Sequence, residues 1–163
     1  GALAGAQLAK LADNLARLRS LKAALTEALT DLPGAGVLKS HDPDGECGTV
    51  LAIRFDHADH TAKAAEALGI RRLDESGKHN YRNIPQMAKL SVPRAISASR
   101  VTGPSKGPAS LPRTDDVLMR TLIIGIGLND SYLGAGLTLE PDVGGNGLAA
   151  FAEEIRAAIE RTS

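Results

Sequence analysis

Leu8, Leu11, Leu15, Leu18, Leu25 and Leu29 recur at helical spacings and fall on one side of a helix, and this stripe predicts one long helix over Ala2–Asp31. Lys10, Arg17, Lys22 and Glu27 lie largely off the stripe. The first turns, Ala2-Leu3-Ala4-Gly5-Ala6, are small and apolar on every side, a surface that favours being covered. Pro33 and Gly34 end the pattern. After a turn-rich stretch at His41–Gly48, Thr49–Phe55 reads as a strand, and a helix follows over about Ala58–Leu68 with Asp56 or Asp59 in reach of its free N–H groups. Ile70–Leu73 reads as a short second strand. Asp115–Arg120 suits a short helix, Thr121–Leu128 is the most apolar strand, and Leu148, Phe151, Ile155 and Ile159 share one face of a last helix over Leu148–Arg161, which Asp142 or Asn146 could cap.

The order of long helix, strand, helix, strand, irregular segment, strand and helix predicts an α/β fold, an α+β layer of two or three strands covered by helices. Residues 1–32 read as a connecting helix and 33–163 as the domain proper. Within the latter, 77–113 form a loop broken by Pro85, Pro93, Pro104, Pro108 and Pro112, with one turn of helix near Gln86–Leu90. Of the 163 residues, 39 are Leu, Ile, Val or Phe, enough to build a core. The chain has two Phe, two Tyr and no Trp, which leaves no platform for stacking nucleic-acid bases. The single cysteine, Cys47, excludes an intrachain disulfide and any multi-thiolate zinc site. No apolar run reaches the roughly 20 residues that span a bilayer, and a cytoplasmic location is the expectation.

Nineteen basic and nineteen acidic residues cancel, but unevenly. Residues 71–120 carry ten Lys or Arg against Asp74, Glu75, Asp115 and Asp116, so the irregular third is strongly cationic and a place for an anionic ligand. A solvated loop explains the same charge equally well. The densest polar run is Lys78-His79-Asn80-Tyr81-Arg82-Asn83, which holds an imidazole, a phenol, two amides and two cations in six residues. It reads as a site for a small polar ligand, against the plainer reading of a loop whose side chains bond their own backbone. His41, Asp42, Asp44 and Glu46 do not match a calcium loop, and no third ligand accompanies His57 and His60, so a turn and a helix cap explain them better than a metal does. Cys47 has no recognisable His partner and reads as a packing residue. Gly125-Ile126-Gly127 and Gly144-Gly145-Asn146-Gly147 fit no phosphate-binding glycine loop; the second precedes a helix start, where an anion can bind, but turn formation explains it more simply.

Four segments together carry a resemblance. They are A-G-A-Q-L-A-K-L-A-D-N-L-A-R-L-R, then G-E-C-G-T-V-L-A-I-R-F, H-N-Y-R-N-I-P-Q, and L-P-R-T-D-D-V-L-M-R-T-L-I-I-G-I-G. Their succession resembles the C-terminal part of fold-type I, pyridoxal-phosphate-dependent sugar aminotransferases of the DegT/DnrJ/StrS family. The resemblance implies the small domain and connecting helix of a homodimeric transaminase that passes an amino group from an amino acid to a keto-sugar or cyclitol. It implies that an N-terminal large domain holds the cofactor and its lysine, and that none of the seven lysines here is catalytic. It places His79, Tyr81, Arg82 and Asn83 at the mouth of the site as substrate contacts. Two other classes stay open: a stand-alone domain that binds an anionic metabolite or regulates, and a structural subunit that docks its first helix into a partner.

Overall fold

The computed structural model describes residues 1–77, 80–84, 111–127 and 137–163. The fold is α+β. The leading helical stripe forms α1 (Ala2–Leu8) and α2 (Leu11–Ala28). They are followed by β1 (Ala35–Val37), β2 (Val50–Phe55), α3 (Ala58–Leu68), α4 (Pro112–Met119), β3 (Thr121–Ile126), β4 (Thr138–Leu139) and α5 (Gly145–Thr162). Single 3₁₀ turns lie at Leu73–Glu75 and Tyr81–Asn83. The strands form one sheet in the order β1-β2-β3-β4, in which β1/β2 and β2/β3 are antiparallel and β3/β4 parallel.

The register decides which face is buried. Ile53 stands opposite Leu122 and Leu51 opposite Ile124, and all four are fully buried. On the other face Ala52, Arg54 and Ile123 stay half-buried or exposed, while Thr121 and Gly125 of β3 are buried. Leu25, Leu29 and Leu32 at the end of the leading helices, Ala64 and Ala65 of α3, and Ala152, Ile155 and Ile159 of α5 complete the core over the first face. This gives a helical layer on a twisted strand layer. At a transfer free energy of about 25 cal/mol per Å² of apolar surface, this single face is the main source of stability.

Four expectations need correcting. The predicted long helix is interrupted at Ala9–Lys10, where Lys10 N–H bonds Gln7 O three residues back, a tighter turn than the α-helical four. The sheet has four strands among the described residues, because Ala35–Val37 and Thr138–Leu139 add short edges. Ile70–Leu73 is not a strand. Gly69 (φ +65°) ends α3 in a left-handed turn, its N–H bonds Glu66 O, and Ile70 N–H bonds Ala65 O at 2.9 Å. That is a Schellman motif, and Ile70 is buried as its apolar partner. The expected caps are also absent: His57 and Gly144 hold the N-cap positions of α3 and α5 without a side-chain bond, Asn146 lies inside α5, and Asp142 pairs with Arg17. The helix expected near Gln86–Leu90 lies outside the described residues.

Along the leading stripe, burial rises towards the C-terminus. Leu8 and Leu11 are exposed, Leu15 and Leu18 half-buried, Leu25 and Leu29 buried. No residue of α1 is buried, and Leu3 is 77 % exposed.

Candidate functional site

The polar run around Tyr81 is fixed by its own amides. Asn80 is buried; its side-chain oxygen accepts from Arg82 N at 3.0 Å while its amide donates to Asp74 O at 2.5 Å. Asn83 donates to Asp74 O at 2.8 Å and to Ser76 O at 3.2 Å. Both amides are thus committed to shaping the 3₁₀ turn, in the way Asn side chains substitute for missing backbone partners. Asn83, expected to contact substrate, makes these backbone bonds, and beside it Tyr81 and Arg82 project together towards α4.

Pro112 occupies the first turn of α4, with its fixed φ suited to a helix start. Three residues later Asp115 faces the turn. The Tyr81 hydroxyl donates to Asp115 Oδ1 at 2.9 Å, and it accepts from Arg82 Nε and from Leu111 N–H, each at 3.0 Å. Arg82 Nη2 closes the triangle on Asp115 Oδ2 at 2.5 Å. The hydrogen bond to the Tyr81 hydroxyl raises the Arg82 guanidinium above its ordinary value; removal from water opposes this, and the Asp115 charge adds to the rise. The three side chains offer one carboxylate, one cation and one phenol, separated in sequence by more than thirty residues. Asp115 is the member that the sequence reading did not single out. Its signal was present: it is one of only four acids in a segment of ten cations.

All four of those acids are engaged by arginine. Arg72 bonds Asp74 Oδ2 at 3.2 Å and Glu75 Oε1 at 3.4 Å, Arg82 pairs with Asp115, and Arg120 chelates Asp116. Arg120 also donates to the carbonyls of Phe55 and Asp56, so it ties the end of α4 to the end of β2. The hydrogen bond from Arg120, with its charge and that of Arg54 adding to it, holds the Asp116 carboxyl below the ordinary Asp value of 3.8. A lowered folded-state value means that the pair's contribution is complete above the unfolded value and is lost as pH falls through the folded one. The melting temperature of Asp116→Asn is therefore expected to lie below that of the wild type at pH 7. The gap should close as pH is lowered from about 5 to below 3. A gap that is constant with pH would remove the carboxylate as its source.

Near the far end of α4 a cleft of about 520 Å³ follows the edge of β1, lined by Val37, Arg54, Phe55, Asp56 and Arg120 among others. Of the expected substrate contacts, the described Tyr81, Arg82 and Asn83 do not line it. His79 and Lys78 lie outside the described residues. Among the described lysines, Lys10, Lys39 and Lys63 are exposed and Lys22 is paired with Glu46 Oε2 at 2.5 Å; none reaches the Tyr81 cluster or the cleft. The described residues therefore do not fit pyridoxal phosphate.

The remaining candidates have local partners. Asp42 Oδ1 accepts Gly45 N–H at 3.0 Å, and Glu46 is held to α2 by Lys22 and, through its carbonyl, by Arg19 Nε at 2.7 Å. His60 Nε2 lies 3.0 Å from Ile159 O, which can only accept, so that nitrogen carries the proton and bridges α3 to α5. Its ring meets Phe55 edge-on, 4.9 Å between centroids. Cys47 is exposed. A Cβ at Gly127 (φ +65°) would run into the end of the Leu18 side chain, so the end of β3 packs closely under α2 there.

No helix among the described residues is long and apolar enough to cross a membrane. No protein-family model matches this chain, and no curated protein matches it.

Proposed function

We propose that this chain is the small domain, with its connecting helix, of a pyridoxal-phosphate-dependent aminotransferase of the DegT/DnrJ/StrS type. It acts in the cytoplasm as part of a homodimer, on a keto-sugar or cyclitol acceptor. The observation that carries this reading is the meeting of two of the four resembling segments in one polar cluster. Tyr81 and Arg82 of H-N-Y-R-N-I-P-Q close on Asp115 of L-P-R-T-D-D. Such a cluster can bind and orient a polyhydroxylated acceptor, since the carboxylate accepts and the guanidinium donates, while the phenol holds the two in place. The exposed Leu3, Leu8 and Leu11 support a large domain packed against the leading helices. The cofactor, held by that large domain, supplies the electron sink.

The gene is the direct test. Upstream of the codon for Gly1 the reading expects an open frame of some two hundred residues or more, with alternating strands and helices and a lysine at a strand end. A frame that lacks this pattern overturns it. In solution, pyridoxal phosphate added to the 163-residue chain is expected to keep the spectrum of the free aldehyde. A lysine adduct that a single Lys→Ala change abolishes would contradict the assignment of the cofactor lysine to the large domain.

A further inference from the structure

On the aminotransferase reading, we propose that Asp115 sets the class of acceptor the site takes, selecting the hydroxyl groups of an uncharged sugar or cyclitol over a phosphate. Arginine recognises phosphate by laying two N–H groups of one edge against two oxygens. The edge of Arg82 formed by Nε and Nη2 is already engaged, by the Tyr81 hydroxyl at 3.0 Å and by Asp115 Oδ2 at 2.5 Å. The Asp115 side chain is 19 % exposed and that of Arg82 46 %, so the carboxylate is held beneath the guanidinium rather than released to solvent.

The chemistry of the partners agrees. A phosphate presents mainly accepting oxygens, and its negative charge would be repelled by that of Asp115. A sugar hydroxyl donates and accepts at once, so it can give to the carboxylate and take from the guanidinium without disturbing the pair. The same pattern holds across the basic segment, where Asp74, Glu75 and Asp116 neutralise Arg72 and Arg120. The acids that the sequence makes scarce are used to cancel the arginines closest to them.

The test uses inorganic phosphate and the 163-residue chain, with binding followed by calorimetry. Wild type and Arg82→Ala are expected to bind phosphate with the same affinity, because Arg82 is not an anion anchor. Asp115→Asn keeps an oxygen for the Tyr81 hydroxyl but removes the charge; it is expected to bind phosphate about tenfold more tightly at low salt. That gain should vanish in the double variant Asp115→Asn/Arg82→Ala. If Arg82→Ala alone weakens phosphate binding, or if Asp115→Asn gains nothing that depends on Arg82, the proposal is wrong. The wild-type and Arg82→Ala arm stands even if the residue-115 variant does not fold. Failure of the aminotransferase reading shows elsewhere, as a lack of amino-group transfer by the intact protein, and leaves these phosphate titrations interpretable.

Discussion

Gly48→Ala is expected to lower the unfolding free energy by about 3–4 kcal/mol or to prevent folding. Gly48 is buried with φ +73°, and a Cβ there would lie 2.8 Å from Arg19 N, 2.9 Å from Arg19 Cα and 2.9 Å from Leu18 C. These are backbone atoms of α2 and cannot rotate away. Accepting a methyl group means moving the helix off the loop, which would break the Arg19 bond to Glu46 O and the Lys22 pair with Glu46. Gly69 separates the two contributions. It has φ +65° but nothing within 4 Å of its Cβ position, so Gly69→Ala incurs the left-handed backbone strain alone, about 1 kcal/mol. Urea unfolding of the two variants should therefore differ by about 2 kcal/mol or more. Equal losses would mean that the close approach of α2 does not hold in solution.

Ile53→Ala is expected to cost about 3–4 kcal/mol, within the range for removing a large aliphatic side chain from a core. Ile53 is fully buried, stands opposite Leu122 in the register and belongs to the cluster that α2, α3 and α5 complete. Against a typical total stability of about 5–15 kcal/mol, this loss leaves a protein near its unfolding threshold. Ile123→Ala, one strand over and on the opposite face, is expected to cost about 1 kcal/mol because that residue is half-buried. The ratio of the two losses measures how one-sided the sheet is, and thermal unfolding reads both. If the two substitutions cost the same, the assignment of a single buried face fails.

Where the sequence reading held, two physical signals agreed. Thr121–Ile126 and Val50–Phe55 are runs of β-branched and large apolar residues between turn formers, and α3 and α5 carry apolar residues at helical spacing. Where it failed, local chemistry admitted two answers. Ile70 after Gly69 looks like a strand start, yet burial of one isoleucine is satisfied equally by a Schellman turn. Ala35-Gly36-Val37 is too short and too small to show alternation, so β1 is recognisable only by its pairing with Ile53–Phe55. The break at Ala9–Lys10 falls in a run of strong helix formers, where nothing in residue type marks a boundary. The candidate site was legible in part for the same reason. Tyr81 and Arg82 announce polar chemistry by their neighbours, whereas Asp115 becomes meaningful only once the fold carries α4 to the turn. Asn83 reads identically as a ligand contact and as a loop strut until its amide is seen on Asp74 O and Ser76 O.

The central strands of the sheet, β2 and β3, come from distant parts of the chain, with Val50 opposite Gly125 and Arg54 opposite Thr121. During synthesis the N-terminal half leaves the ribosome with Leu51, Ile53 and Phe55 ready and nothing to pair with on that side. The basic, proline-broken stretch must be translated before the mate of β2 emerges. Folding of this polypeptide therefore waits on a long-range closure, which slows it relative to a helical bundle of local contacts. In the interval the apolar face of β2 stays open, a surface prone to self-association until the partner strand arrives.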